Sequence, residues 1–377
     1  HPDEILLVRS RTSRIYYGRR FYDYPISLSL LTVRNLGLFR TARIGFSYLF
    51  AIMRPIRNEV TLEDFLVNRF GRELYATFFK DYTQKVWGRS CEEIPAEWGA
   101  QRIKGLSITR ALGHALKKLF TPAAALSQKS TETSLIEYFL YPKLGPGQMW
   151  DIVARKVCEG GGEIRYRSRA TRLEREGGRI KAVWVTGEDG HEPRLACDPC
   201  FSTMPIRDLS RALSPGLQKP LAEIADGLPY RDFVTVGLLV SRLRITAEDG
   251  GLVPDNWIYI QEPDVRIGRL QIFNNWSPFM VADPDLVWIG LEYFCNEGDE
   301  FWSQPDTDLA ALGVRELAAI DIIDEDAVLD RVVIRMPKAY PAYFGSYNRL
   351  PELVSEIDRI ENLFLVGRYG MHRYNNQ

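Results

Sequence analysis

Gly367, Arg368 and Gly370 sit near the end of the sequence, in ENLFLVGRYGMHRYNNQ (361–377), and their types and spacing suit ligand binding. Asn362 to Val366 reads as a buried strand and the glycines as the turn into a helix, with the sequence closing before a helix can form. Glycine there lets the backbone approach a ligand closely. The N–H groups of a helix start face an anion or an electron-rich ring, and Arg368 adds a fixed charge. A second stretch, YPKLGPGQMW (141–150), places Gly145, Gly147 and Gln148 at another loop leading into a helix, roughly 220 residues earlier. Two such turns can converge on one cofactor. The dinucleotide fingerprint G-x-G-x-x-G occurs nowhere in these residues, so they do not by themselves specify an intact dinucleotide domain.

Metal chemistry has weaker support. Cys197 and Cys200 form CDPC with His191 six residues before it, but a zinc site needs a fourth ligand, and the pair reads better as a strand end carrying two small thiols. Five cysteines in a long chain fit a reducing, cytoplasmic setting better than a disulfide framework. The net charge of −1 gives no reason to expect a nucleic-acid partner. Residues 1–60 are an exception to this balance, with ten arginines against four acids. Arginines interleaved with apolar residues read as solvated helix edges, and peripheral membrane contact stays open as the alternative. The longest apolar run, IGFSYLFAIM (44–53), is too short for a spanning helix. No signal peptide is visible, and because the first residue is His1 a cleaved leader would not be seen.

Several elements must position the two glycine turns. SRIYYGRRFYDYPI (13–26) reads as a hairpin around Gly18, and Leu28 to Arg57 as helical. In TLEDFLVNRFGRELYATFFKDYTQKVWG (61–88), Thr61 caps a helix with Asp64 answering it; Leu62, Phe65, Leu66 and Phe70 form one face, and Gly71 divides the stretch in two. Ala96 to Leu119 continues helical, and SQKSTET (127–133) is a polar linker. After the 141–150 loop comes a helix through Cys158, then strands in EIRYRSR, in ATRLEREGGRIKAVWVT with a turn at Gly177 and Gly178, and in LACDPCFSTMP. Residues 206–227 read as helix. FVTVGLLV, NWIYIQEP, RLQIFNNW and LVWIGLEYF read as an antiparallel sheet, DTDLAALGVRELAAI (306–320) as an amphipathic helix, and RVVIRMPKAYPAY as a further strand.

FGRELYATFFKDYTQKVWGRSCEEIPAEWGAQRI (70–103) resembles the helical segment of UDP-galactopyranose mutases, with G-x-x-L-Y, K-x-Y-T-x-K-x-W-G and a following I-P. The ending is similar to the flavin motif that those mutases share with flavin amine oxidases and protoporphyrinogen-oxidase-like flavoproteins. YPKLGPGQMWDIVARKVCEGGGEIRYRSRATRLE looks like their flavin-facing loop, helix and adenine-side strand, and 257–278 and 338–343 resemble their substrate-domain strands. The resemblance runs in order along nearly the whole chain. It implies an α/β fold with α+β character, the Rossmann-like FAD-binding flavoprotein fold lacking its first βαβ unit. It also implies a partial FAD-binding domain of residues 143–205 and 358–377, and a substrate domain of 1–142 and 206–357 with mixed or antiparallel sheet plus helices.

FAD is the implied cofactor, held by Gly145, Gly147, Gln148, the backbone of Ala170, Gly367 and Arg368. The implied reaction is hydride transfer from a small-molecule substrate to flavin, in a cavity that Tyr22, Trp276, Tyr293 and Tyr340 could line. The alternative is a mutase acting on a nucleotide sugar, whose diphosphate needs arginines. Arg269 falls at the position of one of them, though by itself it reads as an inter-strand ion-pair partner. Tyr340 matches a tyrosine near the diphosphate, and Asp23 stands where the mutases have an amide. Where the second arginine should be, near EYFLYPK, Lys143 is the only cation. These assignments leave the catalytic residue unknown. Without the fingerprint, the 377 residues alone are expected to carry little flavin and to be inactive.

Overall fold

The computed structural model describes residues 5–26, 29–102 and 138–374. The expected linker 127–133 and the helical reading beyond residue 102 lie outside them. The strands in chain order are β1 Leu6–Ser10, β2 Ser13–Tyr17, β3 Arg20–Asp23, β4 Tyr138–Pro142, β5 Ser168–Glu176, β6 Arg179–Gly187, β7 Arg194–Ala196, β8 Cys200–Ser202, β9 Leu213–Ser214, β10 Tyr230–Val240, β11 Trp257–Ile260, β12 Arg269–Ile272, β13 Val287–Cys295, β14 Val328–Pro341 and β15 Leu363–Leu365. The chain divides into two compact units, one within residues 1–152 and 233–336, the other within 153–232 and 337–377.

The first unit is built on a seven-stranded sheet in the order β14-β10-β13-β12-β11-β2-β3. β11, β12 and β13 pair antiparallel, while β11 and β2 run parallel, so the sheet is mixed. Side chains alternate along these strands. Ile258, Ile260, Leu270, Ile272, Ile289 and Leu291 are fully buried in one core with Leu309 and Leu317 of the helix Asp306–Ala319. Trp257, Tyr259, Arg269 and Gln271 point to the other face, as the strand period of two requires.

The helices of this unit follow from local rules. Thr61 and Asp64 form the expected capping box at the start of Leu62–Phe70: the Asp64 N–H donates to Thr61 Oγ1 (3.2 Å) and the Thr61 N–H to Asp64 Oδ2 (3.0 Å). Gly71 ends that helix at φ +77°. A Cβ there would lie 2.7 Å from the Tyr48 backbone nitrogen, so only glycine permits this close crossing. The helical reading of 28–57 resolves into Leu30–Leu36 and Leu38–Met53, because Gly37 at φ +81° breaks the ladder. Among the described residues no single helix is long and apolar enough to cross a membrane.

The second unit holds a four-stranded sheet, β7-β6-β5-β9, and the parallel pair β15-β8. Leu173, Ile180, Leu209, Ile224, Leu353 and Ile357 form its core. Three expectations are corrected here. The strand expected over EIRYRSR begins only at Ser168. LACDPCFSTMP splits into β7 and β8, since Cys197–Pro199 turns the chain from one sheet to another. The helix expected over 206–227 becomes two, Ile206–Ala212 and Lys219–Asp226, separated by β9.

Candidate functional site

In the first unit, β4 pairs antiparallel with β1 and delivers the turn Lys143–Gly145 that enters the helix Pro146–Glu159. The loop closes on itself. The Gly145 N–H donates to the Pro142 carbonyl (2.9 Å), and the Leu144 N–H to Gln148 Oε1 (2.9 Å), which commits that side-chain oxygen to shaping the turn. Gly147 has open space where a Cβ would stand, so its backbone is free to meet a ligand. The Lys143 ammonium lies 4.0 Å from the centre of the Phe279 ring, a cation–π contact.

A row of aromatic rings begins beside this loop. Tyr141 meets Trp276 (5.2 Å between centroids), Trp276 stacks on Trp257 (5.4 Å), Trp257 meets Tyr259 edge-on, and Tyr259 contacts Tyr24 (4.4 Å) and Tyr82 (5.7 Å). Trp257 and Tyr259 share one sheet face because they are two residues apart. Burial raises the Tyr259 phenol well above its ordinary value, so it stays protonated.

Arg269 lies directly opposite Tyr259 in the β11–β12 register and opposite Glu292 in β12–β13. Its guanidinium pairs with buried Glu292 at 2.5 Å, and Gln271 Nε2 donates to the same carboxylate at 2.6 Å. Asp23 ends β3 opposite Arg14 and immediately before Tyr24. Tyr22 and Tyr293, two of the proposed cavity aromatics, are core residues instead: Tyr22 packs edge-on against Phe78, and Tyr293 is fully buried against Phe301.

In the second unit, β15 leads into the glycine turn. Asn362 anchors it, accepting from the Ile180 N–H (2.7 Å) and donating to the carbonyls of Ile180 and Asp198. The Val366 N–H then donates to the Ser202 carbonyl, and residues Gly367–Gly370 form one short helical turn where no helix was expected. A Cβ on Gly370 would lie 2.5 Å from the Ser202 carbonyl oxygen, so a larger residue there has to shift the turn.

Arg368 donates to the Ala339 carbonyl (3.1 Å), and its guanidinium sits 4.8 Å from the Tyr374 ring and 5.8 Å from the Tyr340 ring, which stack on each other. The structure thus brings together Arg368 and Tyr340, assigned in sequence to cofactor and substrate respectively. Beside them His372 is buried, contacts Tyr230 edge-on and is drawn down to about 4 by desolvation, so it is neutral. Ala170 sits on β5 opposite Val185, next to a register shift in the β5–β6 pair.

In the second unit Gly370 permits a turn that no side chain fits, and two buried polar atoms near it, Ser202 Oγ and His372 Nδ1, have no hydrogen-bond partner, which fits a ligand with polar edges such as a flavin. Among the described residues no group of three or more His, Cys, Asp or Glu side chains could hold a metal ion.

Some positioning residues escaped the sequence reading. Lys85 donates to three backbone carbonyls, Ile260 (3.2 Å), Glu262 (3.0 Å) and Ile267 (3.0 Å), and so clamps the β11–β12 connection. Only its place in K-x-Y-T-x-K-x-W-G could have marked it. Trp257 and Tyr259 were legible as the outward members of an alternating strand.

A family model described as flavin containing amine oxidoreductase matches residues 59–376. The fold is similar to that of a reduced UDP-galactopyranose mutase (TM-score 0.74, 18% identity, 98% of this chain and 75% of that one). It is also similar to a structure assigned as a protoporphyrinogen oxidase from Exiguobacterium sp. 255-15 (0.64, 14%, 97% and 77%) and to putrescine oxidase bound to putrescine (0.54, 10%, 98% and 80%). At these identities the likeness is one of fold. None of the curated proteins is significantly similar in sequence.

Proposed function

The chain belongs to the flavin containing amine oxidoreductase family, whose members are FAD-dependent oxidoreductases, and from that premise we propose that it oxidises a small organic substrate held over the aromatic face of the first unit. The observation that carries this reading is the ring row from Tyr141 through Trp276 and Trp257 to Tyr259. It begins at the loop whose Gly145, Gly147 and Gln148 we assign to the cofactor, along with Ala170, Gly367 and Arg368. FAD held by those residues would supply the acceptor for the hydride equivalent of substrate oxidation.

The chain's own contribution is orientation and exclusion of water. Flat apolar rings hold a substrate with few polar demands. The nearby charges are balanced, Arg269 against Glu292, so the face suits a neutral or weakly polar substrate better than a diphosphate. The free cysteines fit a reducing, cytoplasmic compartment. Alone, the 377 residues are expected to retain flavin weakly, since G-x-G-x-x-G is not among them.

The test is anaerobic reduction of the flavin-loaded protein by a panel of amines and cyclic substrates, followed by flavin bleaching. Bleaching by any of them that Trp257→Ala slows supports the reading. A bound flavin that no panel member reduces, or whose reduction Trp257→Ala leaves unchanged, removes it.

One observation favours a second reading. Arg368 beside Tyr340 offers a cation next to a phenol, a pair able to meet a sugar-nucleotide diphosphate. In the first unit the same reading assigns Arg269, Asp23 and Lys143 to substrate, and Arg269 must exchange its bond to Glu292 for one to phosphate. Reduced protein incubated with UDP-galactopyranose decides it: no interconversion of ring forms eliminates the mutase reading.

A further inference from the structure

The helix Leu38–Met53 is amphipathic in the inverse of the usual sense. Phe39, Phe46, Leu49, Phe50 and Met53 recur at helical spacing on one face, and they are 79, 74, 53, 57 and 72% exposed. Two of its polar side chains, Arg40 and Ser47, are tied inward. Arg40 donates to Tyr17 Oη (3.0 Å) and to Thr77, and Ser47 Oγ accepts from the Glu73 N–H (3.1 Å), beside buried Ile44 and Ala51. The helix cannot turn to bury its stripe, because Gly71 locks its other side against the backbone of Ser47 and Tyr48. A contiguous apolar surface of this kind marks an interaction site.

The charge around it points to the occupant. Between Asp23 and Glu59 the sequence has five arginines, Arg34, Arg40, Arg43, Arg54 and Arg57, and neither an acid nor a lysine. Arg34, Arg54 and Arg57 are exposed. We propose that this helix lies in the plane of an anionic phospholipid surface, its phenylalanines in the acyl boundary and its arginines against the headgroup phosphates. Its 16 residues extend about 24 Å, and it is bent by 109° from the preceding helix Leu30–Leu36. A second copy of the chain is the poorer occupant, since stripe-on-stripe packing brings together two copies of a stretch that carries arginines and no acid.

The experiment is co-sedimentation of the full chain with vesicles of phosphatidylcholine alone and of phosphatidylcholine with phosphatidylglycerol. Binding to the anionic vesicles that salt weakens is expected. Phe46→Ser with Phe50→Ser, both at exposed positions, should lower binding about tenfold or more; Arg54→Gln and Arg57→Gln should each lower it about fivefold. A second measurement uses Phe46→Trp, whose emission should shift to the blue on anionic vesicles only. The proposal is overturned by absence of binding to either vesicle. It is equally overturned by binding that the serine pair leaves unchanged, by an unshifted Phe46→Trp, or by an oligomer that the serine pair dissolves without any lipid effect.

Discussion

Replacing Lys85 by methionine keeps the length and apolar bulk of the side chain and removes only the ammonium that clamps the carbonyls of Ile260, Glu262 and Ile267. Two effects oppose each other. A charge-assisted hydrogen bond contributes about 2 kcal/mol, and a buried carbonyl left without a donor loses it, so three of them cost about 6 kcal/mol. Against this, burial draws the Lys85 ammonium from 10.5 to about 8, a penalty on the charged form of about 3 kcal/mol that methionine escapes. The net expectation is a loss of about 3 kcal/mol, read as a lower urea midpoint with unchanged slope.

The pH dependence has a definite sign. The folded value lies below the unfolded one, so the folded state binds this proton less tightly and the lysine protein gains stability as pH climbs from about 8 toward 10.5. The methionine variant lacks that gain, so the difference between the two widens over the same window. A variant within about 0.5 kcal/mol of the parent at neutral pH, or two stability curves that stay parallel from 8 to 10.5, would refute the assignment of Lys85 as the clamp.

Gly71→Ala forces a Cβ against the Tyr48 backbone at a positive φ, and thermal unfolding should show a loss of about 3 kcal/mol or more. Gly370→Ala meets the Ser202 carbonyl and must displace the turn carrying Arg368; FAD titration followed by flavin fluorescence should show affinity at least about tenfold weaker, with circular dichroism preserved. Thr61→Ala removes half the capping box and should cost about 1 kcal/mol. The Thr61 and Val60 N–H groups hold the Asp64 carboxyl below its ordinary 3.8, so its share of the cap is present above that pH and fades as acid protonates it. Acid titration of Asp64→Asn against the parent, monitored by helical ellipticity, should therefore show the two converging at low pH.

What could be read from the sequence was governed by local rules. The Thr61–Asp64 cap, the Gly71 division and the hairpin across Gly18 depend on residues within a few positions of one another, and each appears as expected. The alternation of Trp257 and Tyr259 with Ile258 and Ile260 is equally local. Contacts set by chain crossings were harder to read. Nothing near Lys85 announces that carbonyls some 180 residues later will surround it. Arg269 illustrates the same limit, since its register against Glu292 decides whether its charge is spent on the sheet or left for a ligand. The split of LACDPCFSTMP also depends on a distant residue, because β8 pairs with β15 and not with its sequence neighbours.

The two faces of the seven-stranded sheet cannot vary independently. Aromatic and aliphatic side chains interleave one by one along β11, so inserting or deleting a single residue in that strand would drive Trp257 and Tyr259 into the hydrocarbon interior and turn Ile258 and Ile260 toward the opposite face. Variation on the aromatic face is therefore confined to replacements in place, because the connection of residues 261–268 is itself pinned through the Lys85 bonds to the Glu262 and Ile267 carbonyls.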